Sequence, residues 1–328
     1  MIDTVERDAV HSRNLVRYFA TKTRAEHVAI AEMRRLAGGA VRRHWRVNAD
    51  IVGGPWAGQQ AWVLRGDGLT PLGMGLDLAA EFGLLIELHS AGLKVPQPLF
   101  YAADASLIGT RFHVTRFLPG SADPRLVARA NPALAEELAE TLASLQRLPA
   151  PGPPPEDAIA ARLAELRHRL DALDEPRPAA EWGWRWLTHH RPAPLPAVFC
   201  HGDFRTGNFL VQDGALAAVL DWEFAQWGDP DEDIGWLCSR CWRFGVEARE
   251  AGGIASRAAF EAAYLRASGR ALDPARQNYF EVLAALRWLV IAMMQRDRYL
   301  RAGERSLDLA LTGRRAAECE YELMRLTR

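Results

Sequence analysis

Three stretches near the start of the chain hold apolar residues interrupted by polar ones: HVAIAEMRRL (27–36), HWRVNADIV (44–52) and QAWVLRG (60–66). They are rich in β-branched and aromatic residues and bounded by glycines, which predicts strands, preceded by a short helix. In LDLAAEFGLLIELHSAG (76–92) the apolar spacing becomes helical, with a glycine where a C-cap belongs. QPLFYAA (97–103) and RFHVTRF (111–117) predict two further strands, and LPGSADP (118–124) breaks the pattern as a linker. Beyond it the period is mostly helical: 131–148, with an Asn131 cap and Pro132 at the first helical position, then about 156–173 and 178–190. PAPGPPP (149–155) reads as a loop. FCHGDFRTGNFLVQDGALAAVLDWE (199–223) interrupts the helices as strand, loop and hairpin, and helices then run to the C-terminus. The pattern predicts an α+β, bilobal molecule: a β-rich N-lobe over 1–117 and a mainly helical C-lobe over 118–328.

Composition narrows the function classes. Of 328 residues, 49% are apolar and 25% charged, as in an ordinary globular protein. A formal net charge of −1 supplies no basic field for nucleic acid or an anionic membrane surface. The start, MIDTVERDAV, lacks a signal-peptide pattern, and the longest apolar patch, Trp288–Met294, is too short for a bilayer. A soluble, cytoplasmic protein is expected, with its oligomeric state left open. Four cysteines make no disulfide framework, and Cys238 and Cys241 are read as inert thiols on an apolar helical run rather than a zinc or redox pair. Only Lys22 and Lys94 are lysines, so 38 of the 40 basic residues are arginine.

The stretch 199–223 carries the chemistry. Transfer of a γ-phosphoryl group requires divalent cations on the phosphates, a carboxylate facing the attacking hydroxyl, and positive charge on the nucleotide. His201-x-Asp203, followed five residues later by Asn208, has the spacing of a kinase catalytic loop. Asp203 would orient and deprotonate the acceptor hydroxyl, and Asn208 would offer its amide oxygen to Mg²⁺. Thirteen residues on, AVLDWE delivers Asp221, a hard oxygen ligand of the kind Mg²⁺ prefers. A hairpin turning at Asp213-Gly214 would bring Asn208 and Asp221 to the same end.

At these residues the chain resembles the aminoglycoside phosphotransferase (APH) family, the small-molecule branch of the protein-kinase-like fold. HGDFRTGN followed by LDWE is especially similar to the branch that includes kinase-like domains fused to acyl-CoA dehydrogenases. The resemblance implies ATP or GTP, Mg²⁺ and a small-molecule hydroxyl acceptor. It also implies a cation on the third strand for the α/β-phosphates. Kinases use lysine there; the matching residue here is Arg65, whose guanidinium stays charged and binds phosphate bidentately. Its implied partner is Glu81 on the following helix. Gly38 and Gly39 lie in the connection where kinases keep their phosphate-covering loop, although a plain hairpin turn uses Gly-Gly equally well. The backbone of Arg116 and Leu118 matches the hinge that meets the adenine edge. Asp233 is implied to bond the catalytic-loop backbone, and His201 reads as a brace for that loop rather than a base.

WGDPDEDIGW otherwise reads as a helix start, with Asp229 as N-cap, Pro230 at N1 and Glu232 as the capping-box residue. The resemblance also implies that the C-terminal helices border the acceptor pocket. Residues 251–328 hold 13 arginines against 9 acidic residues, which favours an anionic or lipophilic acceptor, such as a hydroxyacyl-CoA, over an aminoglycoside. The rivals are a kinase for aminoglycosides or other antibiotics, a protein kinase, disfavoured by HGD…DWE, and a pseudokinase that binds nucleotide without turnover.

Overall fold

The computed structural model describes residues 2–36, 42–68, 75–129, 133–149, 152–173 and 175–328, and only the backbone of 2–10. They form two compact units, Met1–Leu118 and Pro119–Arg328.

The first unit contains α1 (Ile2–Thr23), β1 (His27–Arg35), β2 (Arg43–Val52), β3 (Gly58–Gly66), α2 (Leu78–Ser90), β4 (Pro98–Ala102) and β5 (Phe112–Arg116). The strands make one antiparallel sheet in the order β1-β2-β3-β5-β4. α1 is 22 residues long rather than short. Among its described side chains Leu15 and Phe19, one turn apart, are fully buried. Phe19 meets Trp62 of β3 at a ring distance of 4.6 Å. Trp62 and Leu64 thus join the core with α1, and strand alternation turns Arg65 to the opposite face. α2 starts at a cap in which Asp77 accepts from the Ala80 N–H, and it buries Glu81 together with Leu84, Leu85 and Leu88.

The second unit runs α3 (Pro124–Val127), α4 (Leu134–Leu145), α5 (Ala158–Asp171), α6 (Pro178–His189), β6 (Val198–Cys200), β7 (Phe209–Gln212), β8 (Ala215–Val219), β9 (Gln226–Gly228), α7 (Glu232–Cys238), α8 (Arg257–Ser268), α9 (Pro274–Leu300), α10 (Leu307–Arg314) and α11 (Ala316–Leu326). α9 is its axis: Phe280, Leu283, Leu286, Leu289, Val290 and Met293 are buried against α5, α6 and α11. None of the helices among the described residues is long and apolar enough to cross a membrane.

Three local expectations need correction. The predicted Asn131 cap lies outside the described residues, and the helix begins at Leu134. β9, which pairs with β6, was not predicted, because three residues ending in glycine leave no period to read. Cys238 and Cys241 do not share a helix: α7 ends at Cys238, Ser239 takes an extended ψ of 140°, and a single 3₁₀ turn (Arg240–Trp242) carries Cys241. Burial pushes the Cys238 thiol up to about 12 and raises Cys241 as well, so both are inert.

Candidate active site

β6 delivers the chain into a loop, 201–208, tied down from two sides. The Asp233 carboxylate on α7 accepts from the backbone N–H of His201 (2.7 Å) and of Gly202 (2.9 Å). Burial pushes this carboxyl up to about 7, against the opposing effect of those two amides. Gly202 has φ +77°, and a Cβ there would lie 2.2 Å from the Phe224 carbonyl oxygen, so only glycine fits between histidine and aspartate.

His201 is the second tie. Its Nδ1 accepts from the Asp203 N–H at 3.0 Å, so its Nε2 carries the proton and donates to the Leu220 carbonyl at 2.9 Å. The ring is fully buried, 4.4 Å from the Trp222 ring, and burial lowers its pKa to about 4. A neutral imidazole thereby links the loop to the end of β8. In the unfolded chain the same group takes up its proton near pH 6.5. Between pH 6.5 and 4 only the unfolded state is protonated, so stability should fall with pH across that window. Relative to His201→Gln, the wild type should lose about 3 kcal/mol between pH 7 and pH 4, measured by urea denaturation at each pH. A His201 imidazole that titrates near 6.5 by NMR would refute the lowered pKa and this stability loss.

Asp203 sits at the centre of the loop and is 9% exposed. Its Oδ2 accepts from Asn208 Nδ2 at 2.7 Å, and its Oδ1 accepts from Trp236 Nε1 at 2.8 Å and from Arg205 Nε at 3.1 Å. Asn208 Nδ2 also donates to the Asp203 carbonyl at 2.9 Å. Both partners are acceptors, so the amide nitrogen must face them and the amide oxygen is directed elsewhere. β7 and β8 pair antiparallel across Asp213-Gly214, both at positive φ (51° and 81°), as a two-residue hairpin turn requires. Past the last pair the Leu220 N–H donates to the Asn208 carbonyl at 2.8 Å, which places Asp221 beside Asn208. Asp221 itself is left-handed (φ 62°), an uncommon conformation for a residue other than glycine and one that occurs at functional positions. An amide oxygen and a carboxylate at one end of a hairpin form a hard-oxygen donor set that fits Mg²⁺.

In the first unit, Arg65 Nε lies 2.8 Å from Glu81 Oε1, with both side chains almost fully buried. Arg65 Nη1 donates to His44 Nε2 at 2.7 Å. Register puts His44, Arg65 and His113 opposite one another on β2, β3 and β5, so the arginine is flanked by two imidazoles on the same face. His113 approaches Glu81 at 3.9 Å and Arg42 approaches it at 3.8 Å. Burial alone would raise the Glu81 carboxyl, but Arg65, His113 and Arg42 together hold it below its ordinary value. A buried ion pair is a poor stabiliser, and its retention points to a use. The Arg116 N–H donates to the Gln97 carbonyl at 2.9 Å, so of its two backbone groups only the carbonyl could meet a base. Leu118 is half-buried and closes this unit. Gly38 and Gly39 lie outside the described residues.

The acidic stretch 229–233 is not a capping box. The α7 cap is Asp231, without a side-chain cap bond, and Glu232 pairs instead with Arg162 at 2.7 Å. Arg276 grips Asp229 (2.7 Å) and Asp231 (2.8 Å), and Arg270 also holds Asp231 (2.6 Å). These partners lie 39 to 70 residues away in the chain, beyond the reach of a local pattern. Trp236, Arg205, Arg42 and His113 were likewise missed. Only Trp236, one turn after Asp233 in EDIGW, had a signal in the spacing.

A cleft of about 690 Å³ opens between α9, α11 and the segment after α7, with Trp288, Phe244 and Tyr321 on its wall. It carries four carboxylates against Arg240 and Arg315, so the charge count over 251–328 does not describe its lining. Each of the four is engaged by arginine: Glu247 and Glu322 by Arg240 (3.2 and 2.9 Å), Glu318 by Arg315 (3.3 Å), and Glu281 by Arg257.

The model of the family described as "APH: Phosphotransferase enzyme family" matches residues 32–277. Acyl-CoA dehydrogenase family member 11 of Rattus norvegicus is 28% identical over 302 residues, covering 82% of this chain and 38% of that protein. The chain thus spans well under half the length of this relative. Among solved structures, a thermostable mutant of aminoglycoside phosphotransferase APH(4)-Ia in ternary complex with ADP and hygromycin B has a TM-score of 0.65 at 17% identity, covering 96% of this chain and 98% of that one. Macrolide 2′-phosphotransferase MphH from Brachybacterium faecium has a TM-score of 0.60 at 22% identity, covering 92% of this chain and 96% of the other. These likenesses show the expected α+β kinase-like fold.

Proposed function

The chain belongs to the phosphotransferase enzyme family (APH), and from that premise we propose that it transfers the γ-phosphoryl group of ATP, with Mg²⁺, to a hydroxyl of an anionic or lipophilic small molecule. Asn208 carries this reading. Its amide hydrogens hold the Asp203 carboxylate and backbone, and its oxygen is left for a metal beside Asp221. When bound, Mg²⁺ supplies the positive charge that neutralises the transferred phosphoryl group. Asn208 and Asp221 would hold it. Asp203, its carboxylate fixed by three donors, would accept the proton of the acceptor hydroxyl. Arg65, braced by Glu81, would hold the nucleotide phosphates, and GTP fits the same groups.

The cleft beside α9 supports the acceptor class. A polycation bound there would need carboxylates free to pair with it, whereas those lining the cleft already hold arginines. The aromatic wall of Trp288, Phe244 and Tyr321 suits an apolar body instead. The test is a panel of hydroxyl compounds with an ADP readout. Negligible turnover of kanamycin-like aminoglycosides is expected, with measurable turnover of an anionic or lipophilic alcohol. KM should rise with ionic strength if the acceptor is anionic. Aminoglycoside turnover with kcat/KM of about 10⁴ M⁻¹s⁻¹ or above would overturn the acceptor class.

A further inference from the structure

We propose that Trp236 and Arg287 form a buried prop that fixes the Asp203 carboxylate for transfer, Trp236 through its indole N–H and Arg287 as a positioning residue acting through that indole. This rests on the phosphotransferase reading of Asp203. Of the three donors to the carboxylate, Asn208 is committed to the metal end of the hairpin and Arg205 has a side chain 25% exposed. Trp236 is 2% exposed and belongs to α7, whose Asp233, one turn earlier, holds the backbone of the same loop. A single helical turn thus grips the loop backbone and the reactive side chain together.

Arg287 reaches this indole from α9. Its guanidinium carbon lies 4.6 Å from the Trp236 ring centre and 5.9 Å from that of Phe224, and the residue is 4% exposed. Its Nε is buried without a hydrogen-bond partner, and among the described residues Arg287 forms neither a hydrogen bond nor an ion pair. A buried cation without a carboxylate partner is costly, so what compensates it reveals its use. The carboxylates coupled to its charge include Glu232, Asp203, Glu165 and Asp233. Glu232 and Glu165 are held by Arg162, and Asp233 by the backbone N–H groups of His201 and Gly202, which leaves Asp203, bonded to the indole that Arg287 covers. A cation on the face of an indole is attracted to the ring and draws electron density toward itself, which strengthens the N–H as a donor to the carboxylate on its far edge.

The test joins NMR to kinetics. In protein labelled with ¹⁵N-tryptophan, the indole N–H signal that disappears in Trp236→Phe should lie downfield. It should move upfield in Asp203→Asn and in Arg287→Met, and less in Arg287→Lys. Trp236→Phe keeps an aromatic face but not the donor and should lower kcat about 10- to 100-fold, the worth of a hydrogen bond to a charged group, with nucleotide KM unchanged. Arg287→Met should lower kcat less, Arg287→Lys should recover part of that loss, and Arg287→Met should add nothing once Trp236 is Phe. An indole signal that ignores Asp203→Asn overturns the prop, as do multiplicative kinetic losses in the double variant. The NMR arm needs no turnover, so an inactive wild type would count against the phosphotransferase reading and leave the prop to be judged by the indole shift.

Discussion

Asp203→Asn should lower kcat by about 10²–10⁴-fold while leaving Mg·ATP affinity nearly unchanged. The substitution keeps the size of the side chain and removes its charge, so the loop tied by Asp233 and His201 should stay folded. What disappears is an oxygen able to take the proton of the acceptor hydroxyl. In the proposed reading nucleotide binding would fall to other groups, Arg65 with Glu81 and the hairpin end at Asn208 and Asp221, so KM for ATP should hold. Single-turnover measurements separate chemistry from release. Full turnover in Asp203→Asn would place the base elsewhere.

The second large effect belongs to Asp221. Asp221→Ala removes the one ionised ligand proposed at the hairpin end, and the amide oxygen of Asn208 alone is a weak partner for a hard dication. A metal contribution of several kcal/mol corresponds to an affinity loss of at least about 100-fold, so Mg²⁺-dependent nucleotide binding should vanish by calorimetry. The left-handed backbone at position 221 (φ 62°) is harder for alanine than for aspartate, so the fold needs a control, and the urea midpoint should fall modestly while the variant stays folded. Undiminished Mg·ATP affinity in a folded Asp221→Ala variant would remove Asp221 from the metal site.

The parts of this site that could be read from the chain are those whose partners are close in sequence. Asp203, Asn208 and Asp221 lie within 25 residues of one another, joined by a hairpin whose turn residues announce it. The order of strands and helices was legible for the same reason, since each element carries its own period. β9 and the 3₁₀ turn at Arg240–Trp242 are too short to have one. Pairing across long intervals was not legible. Asp229 read as a helix cap and Glu232 as its capping-box residue because nothing local announced Arg276 and Arg162 as their partners. Arg287 read as part of an apolar helix, and its place over Trp236 exists only once α7 and α9 have packed. The charge of 251–328 does not describe the lining of the cleft, because most of those arginines face carboxylates, for example Arg298 toward Glu304 and Arg296 toward Asp297.

The proposed metal centre is tested most directly by a crystal structure of the wild-type protein with Mg²⁺ and a non-hydrolysable ATP analogue. The expected result is a Mg²⁺ ion coordinated directly by Asn208 Oδ1 and the Asp221 carboxylate and by phosphate oxygens of the analogue, with the Asp203 carboxylate still held by Trp236. A nucleotide bound with its metal on other residues, or with Asn208 and Asp221 turned away from the phosphates, would contradict it.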